Sequence, residues 1–88
     1  MNYFVYLIAS RYKNKTISYV GYTSNLVKRL NNHNIGKGAK FTRGRKWCLI
    51  YKKRFETKSL AMKEEYKLKK DYKRRSIIKD KFFKNAQI

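Results

Sequence analysis

Proline is absent from this 88-residue chain, cysteine and histidine occur once each, and only five residues are acidic. Each shortage excludes something. A single cysteine, Cys48, excludes an internal disulfide and a cysteine-built zinc site; a single histidine, His33, excludes a histidine cluster. With no proline and no Ser/Gly-rich linker, nothing divides the sequence, and its length allows one domain. No apolar run reaches the ~20 residues of a membrane-spanning helix. The opening MNYFVYLIAS has no cationic leader region and breaks at Arg11, so a cytoplasmic protein is expected.

The shortage of acids leaves 24 Lys+Arg against five Asp+Glu, a formal net charge of +19. Yet 42% of residues are hydrophobic and 16% aromatic, too apolar for a disordered basic tail. A compact basic domain of this kind suits a polyanion, because cationic side chains displace counterions from nucleic-acid phosphates. An anionic membrane would call for a helix with one broad apolar face; the scattered lysines argue against it. DNA is the expected partner, with RNA as the second polynucleotide and a nucleoid-associated location.

Residues 3–9 (YFVYLIA) and 17–22 (ISYVGY) read as strands around a polar turn at 11–16, and 47–53 (WCLIYKK) as a third. Residues 23–34 read as a helix with Leu26, Val27 and Leu30 on its apolar stripe, capped by Thr23 or Ser24 and ended by Gly36 and Gly38. Residues 58–70 are strongly helical. The tail 76–88 is expected to be a basic helical extension of a domain spanning 1–75. This order predicts an α+β fold, a small three-stranded antiparallel sheet flanked by helices.

Strand alternation places Phe4, Tyr6 and Ile8 on one face of the first strand, and Tyr19 and Gly21 together on the second. The two tyrosines therefore meet if the strands are neighbours, and Gly21 permits close approach of a ligand or another backbone. Arg29 and His33 lie one turn apart, flanking the buried stripe of the first helix. On the second long helix, steps of about 100° per residue set Lys63, Lys67 and Lys70 on one side. Ala61, Met62, Tyr66 and Leu68 fall in the apolar arc, with Glu65 and Glu64 inside it. A carboxylate aimed at a core is costly unless it is paired or binds a metal. The plainer readings are core tyrosines, a solvated arginine, a half-buried histidine and a salt-bridged glutamate. Between the helices, GKGAKFTRGRK forms a glycine-rich basic loop read as a phosphate-contact surface, with Lys37, Lys40, Thr42, Arg43, Arg45 and Lys46 as its contacts.

FVY near the start, then YVG, then Asn-Leu-x-x-Arg-Leu-x-x-His, resembles the GIY-YIG nuclease superfamily. HNIGKGAKFTRGRKW and FETKSLAMKEEYKLKK resemble its small stand-alone bacterial, YhbQ-like members. Phe4-Val5 stands where Gly-Ile would be expected. The resemblance implies a metal-dependent DNA endonuclease. Tyr6 and Tyr19 are then the paired tyrosines, Arg29 the arginine near the scissile phosphate, and His33 the accompanying histidine. Glu65 is the ligand of a single Mg²⁺ or Mn²⁺. On that reading Tyr6 serves as general base only if nearby cations lower its pKa from ~10. Site selection must then come from DNA shape, as in repair or recombination, or from a protein partner. The alternative is a non-catalytic DNA- or RNA-binding protein retaining the nuclease fold.

Overall fold

The structure, a computed structural model, describes residues 2–86, with side chains through Lys84; residues 87 and 88 of the basic tail lie outside the described residues. β1 (Tyr3–Tyr12) and β2 (Lys15–Thr23) form an antiparallel hairpin. Its turn is two residues, Lys13 and Asn14, both at positive φ (49° and 65°). Such a turn follows the right-handed twist of the strands, so pairing continues to Tyr12↔Lys15 and the expected six-residue turn shrinks to two. β3 (Cys48–Phe55) pairs antiparallel with the other edge of β1, giving the order β2-β1-β3. α1 (Leu26–Asn34), a 3₁₀ turn (Lys40–Thr42), α2 (Lys58–Lys70) and α3 (Tyr72–Ala86) complete the α+β fold expected from the sequence.

β1 is covered on both faces. Val5 and Leu7 point to one side, where Val20, Ala61 and Leu68 complete a buried cluster edged by Tyr22, Ile50, Tyr51, Phe55 and Ile78. Tyr6 and Ile8 point to the other, joining Trp47 and packing with Ile17, Tyr19, Leu26, Leu30 and Leu49. Thus α2 and α3 close one face and α1 the other. A bulge supports this division. Leu7 pairs with Tyr51 but Ile8 with Leu49, so Ile50 is inserted between them, and both Ile50 and Tyr51 serve the α2/α3 face.

α1 begins at Leu26, and its cap is Asn25, whose side chain accepts from the Lys28 N–H (3.1 Å). Neither Thr23 nor Ser24 is the cap: the Thr23 hydroxyl is engaged with the Asn25 backbone. Val27, expected on the buried stripe, is 82% exposed. The stripe is instead Leu26, Leu30 and a fully buried His33, with Arg29 half-buried at its margin. Gly36, at φ +81°, takes the left-handed conformation that lets the chain leave the helix.

α2 keeps its expected limits and is capped by Thr57. Its buried face is narrower than the expected arc. Ala61 and Leu68 are fully buried, with Glu64 and Glu65 half-buried between them, at the i, i+3, i+4, i+7 spacing of one stripe. Leu60, Met62 and Tyr66 lie outside it and are about half exposed (49%, 48% and 58%). Lying over the α2/α3 face of a small sheet, the helix presents one row of side chains, and residues 100° away already reach solvent.

Candidate active site

Tyr6 comes from the middle of the central strand and is almost fully buried, yet its hydroxyl has two polar neighbours from α1. Arg29 Nε donates to it at 3.2 Å, and His33 Nε2 lies 2.9 Å away. Arg29 and His33 reach the same oxygen because they stand one helical turn apart on the face α1 turns to the sheet. On its far side the His33 Nδ1 lies 2.9 Å from the Thr42 hydroxyl oxygen. Tyr19, opposite Ile8 on β2, packs its ring on His33 (centroids 5.2 Å) and is stacked in turn by Phe41 (6.1 Å). Tyr6, Tyr19, Arg29 and His33 are therefore one cluster.

Two glycines make room for it. Gly21 is the cross-strand partner of Tyr6, and a Cβ there would overlap the phenol. The close approach expected at Gly21 is thus made by the Tyr6 side chain. At Gly38 a Cβ would overlap the His33 ring. Gly38 lies in the loop that the sequence marks as a phosphate surface, and that loop has a second, structural duty. The Asn34 side chain holds both the N–H and the carbonyl of Trp47 (2.6 and 3.2 Å), and the Trp47 indole donates to the Thr42 carbonyl (2.8 Å). The loop is thereby folded back over α1.

This overturns one expected nucleic-acid contact. Thr42 is fully buried, its hydroxyl occupied by His33 and by the Ala39 backbone, so it offers nothing to a phosphate. Lys37, Lys40, Arg43, Arg45 and Lys46 are exposed around it. The sequence reading missed Thr42 as a partner of His33, and with it Gly38, Asn34 and Trp47. An asparagine ending a helix and a lone tryptophan opening a strand are the only traces of that closure in the sequence.

The electrostatics follow from burial. Desolvation raises the Tyr6 pKa above its usual 10.0 despite the hydrogen bond and charge of Arg29, while Tyr19 and Glu65 add smaller pushes the same way. The lowered tyrosine pKa that a free phenolate base requires is therefore absent. His33 moves down from 6.5, first through desolvation and then through the nearby Arg29 charge, which favours a neutral imidazole. Arg29 moves up, chiefly through its hydrogen bond with Tyr6.

Glu65 approaches from the other face of the sheet. It makes no hydrogen bond with the Tyr6 cluster; its partner is Lys69, one turn along α2, at 3.6 Å. The structural salt bridge belongs to Glu64, which receives Arg74 Nη1 at 3.1 Å while Arg74 Nη2 donates to the Tyr51 hydroxyl at 2.7 Å. Beside Tyr19, an open groove of about 330 Å³ is bounded by Ser18, Val20, Phe41, Lys69 and Arg75. Among the described residues no three His, Cys, Asp or Glu side chains gather around one point. A closed metal cage is thus not built here. A half-buried carboxylate whose ion-pair partner is an exposed lysine does fit Mg²⁺, which commonly takes one or two carboxylates, waters and substrate phosphates.

The family described as the GIY-YIG catalytic domain matches residues 2–78. The chain belongs to the GIY-YIG family. A UPF0213 protein of Oceanobacillus iheyensis is 47% identical to it over 68 residues, 76% of each chain. Another, from Bacillus velezensis, is 54% identical over 52 residues, which are 58% of this chain and 52% of that one. A third, from Streptococcus agalactiae, is 41% identical over 70 residues, 78% and 80% of the two chains. The solution NMR structure of a UPF0213 protein from Bacillus halodurans is 35% identical and has a TM-score of 0.49, covering 93% of this chain and 87% of that one. As a GIY-YIG domain the protein falls within a nuclease superfamily whose substrate is nucleic acid. No helix among the described residues is long and apolar enough to cross a membrane.

Proposed function

We propose that this GIY-YIG domain is a metal-dependent endonuclease that hydrolyses the phosphodiester backbone of DNA. The observation that carries the reading is the Arg29–Tyr6–His33 chain: three polar side chains hydrogen-bonded in series on an otherwise hydrophobic sheet face. Stability alone would be served better by apolar groups there. Arg29 gives its Nε to Tyr6 and also interacts with the Tyr19 hydroxyl, and the N–H groups its five-donor fork has left would hold a non-bridging phosphate oxygen. With its pKa raised, Tyr6 is a relay: its oxygen takes a proton from the attacking water as its own proton passes to His33 Nε2, when that nitrogen carries the lone pair. Water thus supplies a hydroxide equivalent to phosphorus, the P–O3′ bond breaks, His33 holds the proton, and the 3′ oxygen is protonated from solvent. Tyr19 orients His33 by ring contact. Glu65 would hold Mg²⁺ or Mn²⁺, which when bound stabilises charge on the phosphate and leaving oxygen. Lys37, Lys40, Arg43, Arg45 and Lys46 would grip neighbouring phosphates. Such contacts read backbone and not bases, which supports selection by DNA shape, as in repair or recombination intermediates, at the nucleoid.

A second reading, a nucleic-acid binder without turnover, is favoured by one observation: burial keeps Tyr6 protonated. One experiment separates the two. Branched, nicked, single-stranded and duplex DNA are incubated with the protein in Mg²⁺ or EDTA, beside Glu65→Gln. The endonuclease reading expects Mg²⁺-dependent cleavage that Glu65→Gln abolishes while binding is retained. Tight binding with no cleavage of any substrate would establish the second reading.

A further inference from the structure

We infer that Thr42 is a positioning residue: it fixes His33 as the Nδ1–H tautomer, so that the Nε2 lone pair faces the Tyr6 hydroxyl. The inference deepens the nuclease reading and rests on it for its catalytic consequence, though not for the tautomer itself.

The protons of this buried series have only one arrangement that satisfies every group. A threonine hydroxyl has one proton to give. The Thr42 oxygen lies 2.9 Å from the Ala39 carbonyl, which can only accept, 3.2 Å from the Ala39 N–H, which can only donate, and 2.9 Å from His33 Nδ1. If Thr42 gave its proton to Nδ1, its lone pairs would face the Ala39 carbonyl oxygen at 2.9 Å. If it gives the proton to Ala39, Nδ1 must carry the hydrogen and donate to Thr42, and all three contacts are satisfied. The opposite end of the ring selects the same state independently. The Tyr6 oxygen already receives Arg29 Nε–H. With Nδ1 protonated, Tyr6 donates its own hydrogen to Nε2 and every group is paired. With Nε2 protonated, the Tyr6 oxygen receives two hydrogens and its own has no acceptor in a residue only 2% exposed. A buried polar group left so costs about 1–3 kcal/mol. Gly38 confines the ring itself, because its backbone lies too close to the imidazole for any side chain.

The titratable or charged groups facing His33 are Tyr6 from β1, Tyr19 from β2 and Arg29 from α1; from the 3₁₀ turn it meets only the neutral Thr42. None of the three replaces Thr42 at Nδ1. The same arrangement accommodates the protonated ring of the proposed cycle, since Nδ1–H continues to donate to Thr42 after Nε2 takes the proton from Tyr6. Thr42 lies between Lys40 and Arg43, so the turn that would grip substrate also aligns the proton acceptor.

The test uses the protein's one histidine. In ¹⁵N-labelled full-length protein above neutral pH, long-range ¹H–¹⁵N spectra report a single ring. Wild type is expected as Nδ1–H, as is Thr42→Ser, which keeps the hydroxyl. Thr42→Val should shift the ring toward Nε2–H. In cleavage assays Thr42→Val should lower kcat by ~10²–10⁴-fold, the range for lost proton transfer or a wrong tautomer, with KM little changed and Thr42→Ser restoring the rate. A wild-type ring in the Nε2–H form, or one that Thr42→Val leaves as Nδ1–H, overturns the inference. Should Thr42→Val not fold, the wild-type and Thr42→Ala spectra decide. Failure of wild type to cut any substrate would count against the nuclease reading, and the spectrum still decides the tautomer.

Discussion

β1 sends Val5 and Leu7 toward α2 and α3, and Tyr6 and Ile8 toward α1, so adjacent residues enter two differently built interiors. On the α2/α3 side the fully buried residues are aliphatic, and the ionic contacts (Glu64–Arg74, Glu65–Lys69) lie at the margin. On the α1 side the most buried groups include a tyrosine, a histidine and a threonine, each hydrogen-bonded to the next. Apolar packing is tolerant of detail, because shape and volume suffice. A buried hydrogen-bonded series is not, because every atom removed strands its neighbour. One face of the sheet supplies stability, and the other, half supported by it, holds the arrangement that the proposed chemistry requires.

The sharpest way to expose this division is Tyr6→Phe. It removes one oxygen from the α1 side and should reduce the cleavage rate by ~10²–10⁴-fold, with DNA binding nearly unchanged. Folding should survive with a loss of about 1–3 kcal/mol, because the His33 Nε2 acceptor is left without its partner. Steady-state kinetics and urea unfolding measure the two effects, and an unimpaired rate would return Tyr6 to the role of core packing. On the opposite face Leu68→Ala should show the reverse, a loss of about 2–5 kcal/mol from a fully buried site. Cleavage per folded molecule should be unaltered. If it falls as steeply as in Tyr6→Phe, the two faces are not separable.

A smaller contrast lies between neighbours on α2. Glu64→Gln breaks the half-buried ion pair that ties α2 to α3 and should cost about 1–2 kcal/mol, between the surface and buried limits. Glu65→Gln removes an i, i+4 pair whose lysine is exposed and should cost no more than about 0.5 kcal/mol without metal. Thermal melts in EDTA rank the two; a larger loss at Glu65 would assign it the structural role.

The smallest effect is in pH. With the His33 pKa lowered, the unfolded chain binds a proton that the native state resists, so stability should fall as pH drops below about 6.5. With the Tyr6 pKa raised, stability from that residue should be complete below about 10 and decline above it. Unfolding free energies across pH give the slopes, and the titration of the single histidine ring assigns the acid limb. A ring titrating at or above 6.5 would contradict the buried neutral imidazole.

Much of the frame is visible in the primary structure because local rules decide it. The apolar run of β1, the helical stretch 58–70 and the alternation that joins Tyr6 to Tyr19 need no knowledge of distant residues. The first helix shows the limit of such rules. Thr23, Ser24 and Asn25 all suit a cap, and the choice of Asn25 depends on where the chain leaves β2. Glu64 and Glu65 occupy equivalent positions on a helical wheel; only the arrival of Arg74 from α3 separates structural acid from available acid. Thr42 was the least legible, because a loop has no periodicity to reveal which side chain turns inward. Its burial results from the Asn34–Trp47 closure, thirteen residues apart in sequence.

The two-residue turn at Lys13–Asn14 also bears on the order in which the molecule assembles. The hydrogen bonds of the Tyr6 cluster span 9, 23 and 27 residues. β3 must find β1 from Phe55 back to Tyr3. Contacts close in sequence form sooner, because less chain entropy is lost in closing them. The segment from the hairpin through α1 to Thr42, which carries the cluster, is therefore expected to gather first. During that interval β1, the most apolar strand, has an unpaired edge that invites pairing with another chain. The strand that finally covers it carries Lys52, Lys53 and Arg54, all exposed, so the β3 edge of the finished sheet presents a charged border to its neighbours. At the edge that β3 covers, unwanted pairing is thus a hazard of the folding interval more than of the native state. Pulsed hydrogen exchange should find the β1–β2 amides protected before those that join β1 to β3.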